Sequence, residues 1–181
     1  VQEQAEALLN MPANLGNNLL VAMDDTPASL DTIRDLVAAL PDPAHTDITL
    51  MHYLSPVYWE YGGGDPIAAN IMEDTAWQLE RKEEQLTEEY FSKAKAILAE
   101  ANIGATHVQT AEDWEAIGVV DAILQELDQG VYTAVVIGQH HHHYLAELLG
   151  RDLASILRKH TPHTAVWAIE NELTSSQMAY S

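Results

Sequence analysis

The sequence predicts an α/β fold, with one doubly wound, five-stranded parallel sheet and helices on both faces. Two observations carry this. Short apolar runs rich in β-branched residues alternate with longer segments whose apolar residues recur at helical spacing, in the order β-α-β-α-β-α-β-α-β. Such alternation implies right-handed crossovers between parallel strands. The second observation is the run Val135-Val136-Ile137, which stops at Gly138 ahead of a further helical pattern. Strand, glycine and helix start is how open α/β sheets build ligand sites, because unpaired backbone N–H groups and a helix dipole meet there.

Residues 1–16 read as a short helix-like extension broken by Pro12 and Gly16. The first core strand is 19–23, apolar throughout, as a strand buried on both faces must be. It ends at Asp24-Asp25. Thr26-Pro27 then offers an N-cap followed by proline at the first helical position. The helix places Leu30, Ile33, Leu36, Val37 and Leu40 on one face and stops before Pro41.

The second strand is 48–53. Residues 55–66, with Gly62-Gly63-Gly64, Pro56 and Pro66, are a loop that also carries Tyr58, Trp59 and Tyr61, placed to cover a bound base or to pack under their own loop. A helical pattern runs from about 66 to 101, and its charged run 80–84 is a solvated face with i,i+4 pairs. Gly104 ends it. A weaker third strand is expected at 106–110, a helix over 114–129 capped by Gly130, a fourth strand at 134–137 and a fifth at 165–169. The last helix begins near Tyr144 or Gly150, runs to His160 and is closed by Pro162; 171–181 is a polar tail. The organisation is therefore an extension (1–16), one α/β domain (17–170) and a tail.

Composition excludes several function classes. No cysteine is present, so thiolate catalysis, thiolate metal sites and disulfides are ruled out. No apolar run approaches the roughly 20 residues of a membrane span, and no signal-peptide pattern opens the chain, so neither membrane insertion nor export is expected and the cytoplasm is the expected compartment. The opening at Val1 fits an N-terminus trimmed or cut from a longer protein. Eight basic against 28 acidic residues give a formal net charge of −20, which repels nucleic acid and anionic membranes.

Ligands of doubly wound sheets sit at the carboxyl ends of the strands, where strand order reverses. In chain order those ends are Asp24-Asp25, His52-Tyr53, Gln109-Thr110 and Gly138-Gln139. If the first and fourth strands are neighbours, Asp24 faces the loop after Gly138. That loop holds His140, His141, His142 and His143. Neighbours in an extended loop alternate faces, so two of the four can share a divalent transition metal, with Asp24, Asp25 or His52 completing the set. The competing reading is a solvated polar loop. No nucleophile or acid/base pair has a spacing specific to catalysis, and no catalytic residue is assigned.

Three stretches resemble the universal stress protein family. Residues 18–29, Asn-Leu-Leu-Val-Ala-Met-Asp-Asp-Thr-Pro-Ala-Ser, are similar to its opening strand, aspartate and serine-bearing helix start. Val135-Val136-Ile137-Gly138 is similar to its fourth strand. Leu148 to Arg158, His160-Thr161-Pro162 and Thr164 to Ile169 are similar to its closing helix and strand. The resemblance covers about 17–170 and implies strand order 3-2-1-4-5, a homodimer through the last strand (165–169), and membership of a family in which some members bind ATP.

It further implies a stress-response regulator with a degenerate pocket for ATP or AMP, with Mg²⁺, formed by Asp24, His52, Tyr53, Gly138, Gln139, Gly150 and Arg151. Asp24 matches the aspartate at the ribose and adenine end; Gly138 and Gly150 match the first and last glycines of the phosphate loop. The departures are specific. His141 stands at the middle glycine, the second gap is one residue short, and Arg151 replaces a serine or threonine. Imidazoles crowd the approach of backbone N–H groups to phosphate, whereas Arg151 offers a charge-assisted bond in place of the lost hydroxyl. Two other readings follow from the residues: a sensor module without nucleotide, whose histidines answer pH or metal, and, less favoured, a metal-dependent phosphohydrolase.

Overall fold

The computed structural model describes residues 17–24, 26–53, 66–113, 116, 118–139 and 153–170. The extension 1–16, Asp25, the loop 54–65, the histidine loop with Gly150 and Arg151, and the tail 171–181 lie outside the described residues. Five strands, β1 (Asn17–Met23), β2 (Thr46–Tyr53), β3 (Val108–Asp113), β4 (Ala134–Gln139) and β5 (Ala165–Glu170), alternate with helices α1 (Pro27–Ala39), α2 (Pro66–Glu100), α3 (Val119–Gln129) and α4 (Leu153–His160). The sheet is parallel throughout in the order β3-β2-β1-β4-β5, as expected.

The period of two along each strand divides the apolar residues between the faces. Leu19, Val21 and Met23 of β1, Ile48 and Leu50 of β2, and Val136 of β4 pack against Leu30, Ile33 and Leu36 of α1 and Phe91, Ala94 and Leu98 of α2. The alternate set, Leu20, Met51, Val135 and Ile137, packs against Ala122 and Ile123 of α3 and Leu153, Ala154 and Leu157 of α4. The three central strands are thus covered on both sides. Each fully buried aliphatic side chain in these layers contributes about 1.5–3 kcal/mol relative to exposure. Arg81, Lys82 and Glu84 on α2 are exposed, in keeping with a solvated charged face.

Several boundaries differ from the sequence reading: β1 and β2 each begin two residues earlier, at Asn17 and Thr46. Residues 105–107 form a 3₁₀ turn, closed by the His107 amide donating to the Gly104 carbonyl at 2.8 Å, and β3 begins only at Val108. Its carboxyl end is therefore Glu112-Asp113 rather than Gln109-Thr110. An edge strand with exposed Gln109, Thr110 and Glu112 lacks the apolar run that marks the central strands. The helix expected from 114 starts at Val119, with Gly118 at its N-cap. β4 continues past Gly138 because Gly138 and Gln139 still pair with Ile169 and Glu170. Finally, α2 is ended by Asn102, whose left-handed φ of 65° lets the Asn102 and Ile103 amides bond to the Ala99 and Leu98 carbonyls. Gly104 comes two residues later. Among the described residues no helix is long and apolar enough to cross a membrane.

Candidate functional site

The carboxyl edge of the sheet has one place where neighbouring strands part. β1 pairs with β4 up to Ala22 and Ile137. Beyond that level β1 stays with β2 through Met23 and His52, while β4 stays with β5 through Gln139 and Glu170. A crevice therefore opens between Met23-Asp24 on one side and Gly138-Gln139 on the other. Connections on its two sides run to opposite faces of the sheet, so no crossover covers it, which is the physical basis of ligand binding at a switch point.

Asp24 stands at the mouth of this crevice, half-buried, and is held from its own helix start. The hydroxyls of Thr26 and Ser29 both donate to Asp24 Oδ1, and Ser29 Oγ accepts the Asp24 amide proton at 3.0 Å. Ser29 is buried and its amide bonds to the Thr26 carbonyl at 3.1 Å. Thr26 occupies the N-cap position with extended φ and ψ, followed by Pro27, as the sequence suggests, yet it makes no side-chain cap bond. Its hydroxyl is instead turned toward Asp24, to whose Oδ1 it donates. Two neutral donors thus converge on one carboxylate oxygen, and among the described residues no donor reaches Oδ2.

The other expected site residues are distributed as follows. His52 reaches the same edge, one strand across from Met23, but it is buried and meets the Phe91 ring of α2 edge-on, with centroids 6.5 Å apart at 89°. It packs in the layer between sheet and α2. Tyr53 ends β2 level with Asp113. Gly138 and Gln139 form the far wall of the crevice at the end of β4. Gly150, Arg151 and His140 to His143 lie outside the described residues. Among the described residues no three His, Asp or Glu side chains cluster closely enough to hold a metal ion.

Sequence reasoning passed over Ser29 and Thr26 as site residues. The signal was present as the spacing Asp24-x-Thr26-x-x-Ser29, which puts two hydroxyls within reach of a strand-end carboxylate. It also misplaced the end of β3, so Glu112 and Asp113 went unnoticed as members of this edge.

No protein-family profile matches the sequence, and no curated protein does. Solved structures do resemble it. A universal stress protein family member from Burkholderia pseudomallei aligns over 87% of this chain and 98% of its own, with 15% identity and a TM-score of 0.56. A universal stress protein in complex with cAMP aligns over 86% and 98%, with 16% identity and a TM-score of 0.51. A universal stress protein from Archaeoglobus fulgidus aligns over 84% and 92%, with 18% identity and a TM-score of 0.50. The chain has the universal stress protein fold.

Proposed function

On that fold, we propose that the chain is a universal stress protein-like regulator that binds an adenine-type nucleotide in the crevice between β1 and β4. The observation that carries the reading is the parting of the strands beyond Ala22 and Ile137, with the oriented carboxylate of Asp24 at its mouth. The similar structure solved with cAMP supports it. Asp24 accepts hydrogen bonds from the ribose or adenine end through Oδ2. Gly138 begins the loop toward the phosphate, and Arg151 supplies a charge where the family resemblance implies a hydroxyl. Mg²⁺ accompanies a polyphosphate. Tyr53 and, packed behind it against Phe91, His52 close the β2 side of the site.

The functional unit in this reading is 17–170, acting in the cytoplasm as a homodimer through 165–169, with no catalytic residue. β5 supports the dimer because it pairs only with β4 among the described residues and so leaves one edge open.

A thermal melt of dialysed protein with ATP, AMP or cAMP, with and without Mg²⁺, tests the pocket. Ligand at about 100 times its dissociation constant adds about 2.7 kcal/mol, and each kcal/mol moves the midpoint of a chain this size by roughly 2–4 °C. The expected result is a shift of roughly 5–10 °C that Asp24→Ala abolishes. No shift with any nucleotide at millimolar concentration would remove the pocket and leave the histidine run, tested by replacing His140–His143 with Gln and repeating metal and pH titrations, as the better lead.

A further inference from the structure

We propose that Thr26 and Ser29 are positioning residues for the nucleotide: by filling the acceptor positions of Asp24 Oδ1 they leave Oδ2 as the carboxylate oxygen that meets the ligand. The proposal rests on the nucleotide reading above. It adds to that reading two residues that act through Asp24 without touching the ligand.

Donor and acceptor counts fix the bonding. A carboxylate oxygen has two lone pairs and no proton, whereas a hydroxyl has one proton and two acceptor positions. Toward an acceptor-only group a hydroxyl can only donate, so the protons of Thr26 and Ser29 are both committed to Oδ1. Ser29 keeps its acceptor side for the Asp24 amide, 3.0 Å away. Oδ1 is then saturated, while among the described residues no donor reaches Oδ2. Backbone and carboxylate of Asp24 are tied to the same buried hydroxyl, so they are fixed together.

Both donors come from the start of α1, Thr26 just before the helix and Ser29 in its first turn. Both are also neutral. The ion pairs among the described residues join Arg34 to Asp31, His45 to Asp42, Lys93 to Glu89 and His107 to Asp47, and none takes up Asp24. An arginine in place of the hydroxyls would bridge both carboxylate oxygens and compete with the ligand for Oδ2. Two hydroxyls orient the group and leave half of it free.

A side chain that is already held gives up less rotamer freedom when a ligand binds to it. Losing that preorganisation for one side chain weakens binding by about three- to tenfold. Thr26 separates this effect from folding. Its side chain makes no cap bond and is half-buried, so Thr26→Val keeps the shape at the helix start and removes one donor to Oδ1.

The experiment is isothermal titration of the full chain with AMP, for the parent, Thr26→Val, Thr26→Ser, Ser29→Ala and Asp24→Ala, with a melt of each ligand-free protein. Thr26→Val should bind AMP about three- to tenfold more weakly while its ligand-free midpoint stays within about two degrees of the parent's. Thr26→Ser restores the donor and should return the affinity to within about 1.5-fold. Ser29→Ala, titrated well below its lowered midpoint, should weaken AMP at least as much as Thr26→Val. Parental affinity in Thr26→Val or Ser29→Ala overturns the proposal and leaves the pocket standing. So does a Thr26→Ser protein as weak as Thr26→Val, since the hydroxyl is then not what matters. Parental affinity in Asp24→Ala removes Asp24 from the pocket and the proposal with it. A parent that does not bind AMP overturns the nucleotide reading and the proposal together.

Discussion

The Ser29 hydroxyl is tied to Asp24 twice: it accepts the Asp24 amide proton at 3.0 Å and donates its own proton to Asp24 Oδ1. One buried hydroxyl thereby satisfies a backbone donor at the end of β1 and orients the carboxylate that follows the strand. Ser29→Ala removes both bonds and leaves the amide without that acceptor. A buried unsatisfied donor costs about 1–3 kcal/mol, so the midpoint of the nucleotide-free protein should fall by roughly 2–12 °C. A melt of the variant within a degree of the parent would show that the pair contributes nothing to the fold.

The central strands were legible because burial on both faces leaves no room for polar residues. Leu19 to Met23 and Ala134 to Ile137 read as continuous apolar runs for that reason. β3 is an edge strand, and its exposed Gln109, Thr110 and Glu112 carry no such pattern, so its start and end were displaced by two or three residues. Asp24 was legible as a strand-end carboxylate. The roles of Thr26 and Ser29 were not, since a hydroxyl in the first turn of a helix reads as a cap whatever it bonds. The importance of Gly130 also escaped, because its reason lies two residues away in the ring of Tyr132.

Gly130 is not demanded by its own backbone, which is extended at φ −112°. A Cβ built there would lie 2.3 Å from Cε2 and 2.8 Å from Cζ of Tyr132. The ring cannot yield freely, because its hydroxyl donates to the Glu126 carboxylate and lies 3.4 Å from Thr49 Oγ1. Gly130→Ala should therefore destabilise by about 1–3 kcal/mol through overpacking. The same change in a Tyr132→Ala background should be nearly neutral. Equal costs in both backgrounds, measured by denaturant unfolding, would exclude the ring as the cause.

Tyr132 also sets an alkaline limit. Burial, then the hydrogen bond to Glu126, pushes its pKa from 10.0 up to about 12, so the folded chain keeps a proton that the unfolded chain gives up. Stability from this group is present in full below pH 10 and is lost as pH rises from about 10 to about 12. Because the ring is partly open to solvent, the contribution is discounted to about 1 kcal/mol. Lys93, raised chiefly by its bond to Glu89, adds a loss of the same sign above its ordinary value. Comparing parent and Tyr132→Phe across this window isolates the tyrosine: the parent should lose about 1 kcal/mol more than the variant. Parallel curves would remove Tyr132 from the account.

The proposed dimer through β5, whose outer edge is unpaired among the described residues, is a question of charge as much as of backbone pairing. Each copy brings a formal charge of −20, and two such bodies repel before their edges meet. β5 itself is nearly neutral at the seam: Ala165 is exposed, and Val166 and Trp167 are partly buried. Local contact then favours association while the long-range field opposes it, and only the field is screened by salt. Sedimentation velocity at fixed protein concentration should show the dimer fraction rising between about 50 mM and about 0.5 M NaCl, as the Debye length shrinks several-fold. Ala165→Glu puts one more negative charge of each copy at the seam and should lower the dimer fraction most at low salt. A dimer held together by cross-seam ion pairs would behave oppositely and weaken with salt. A monomer at every salt concentration would leave β5 as a solvent-facing edge.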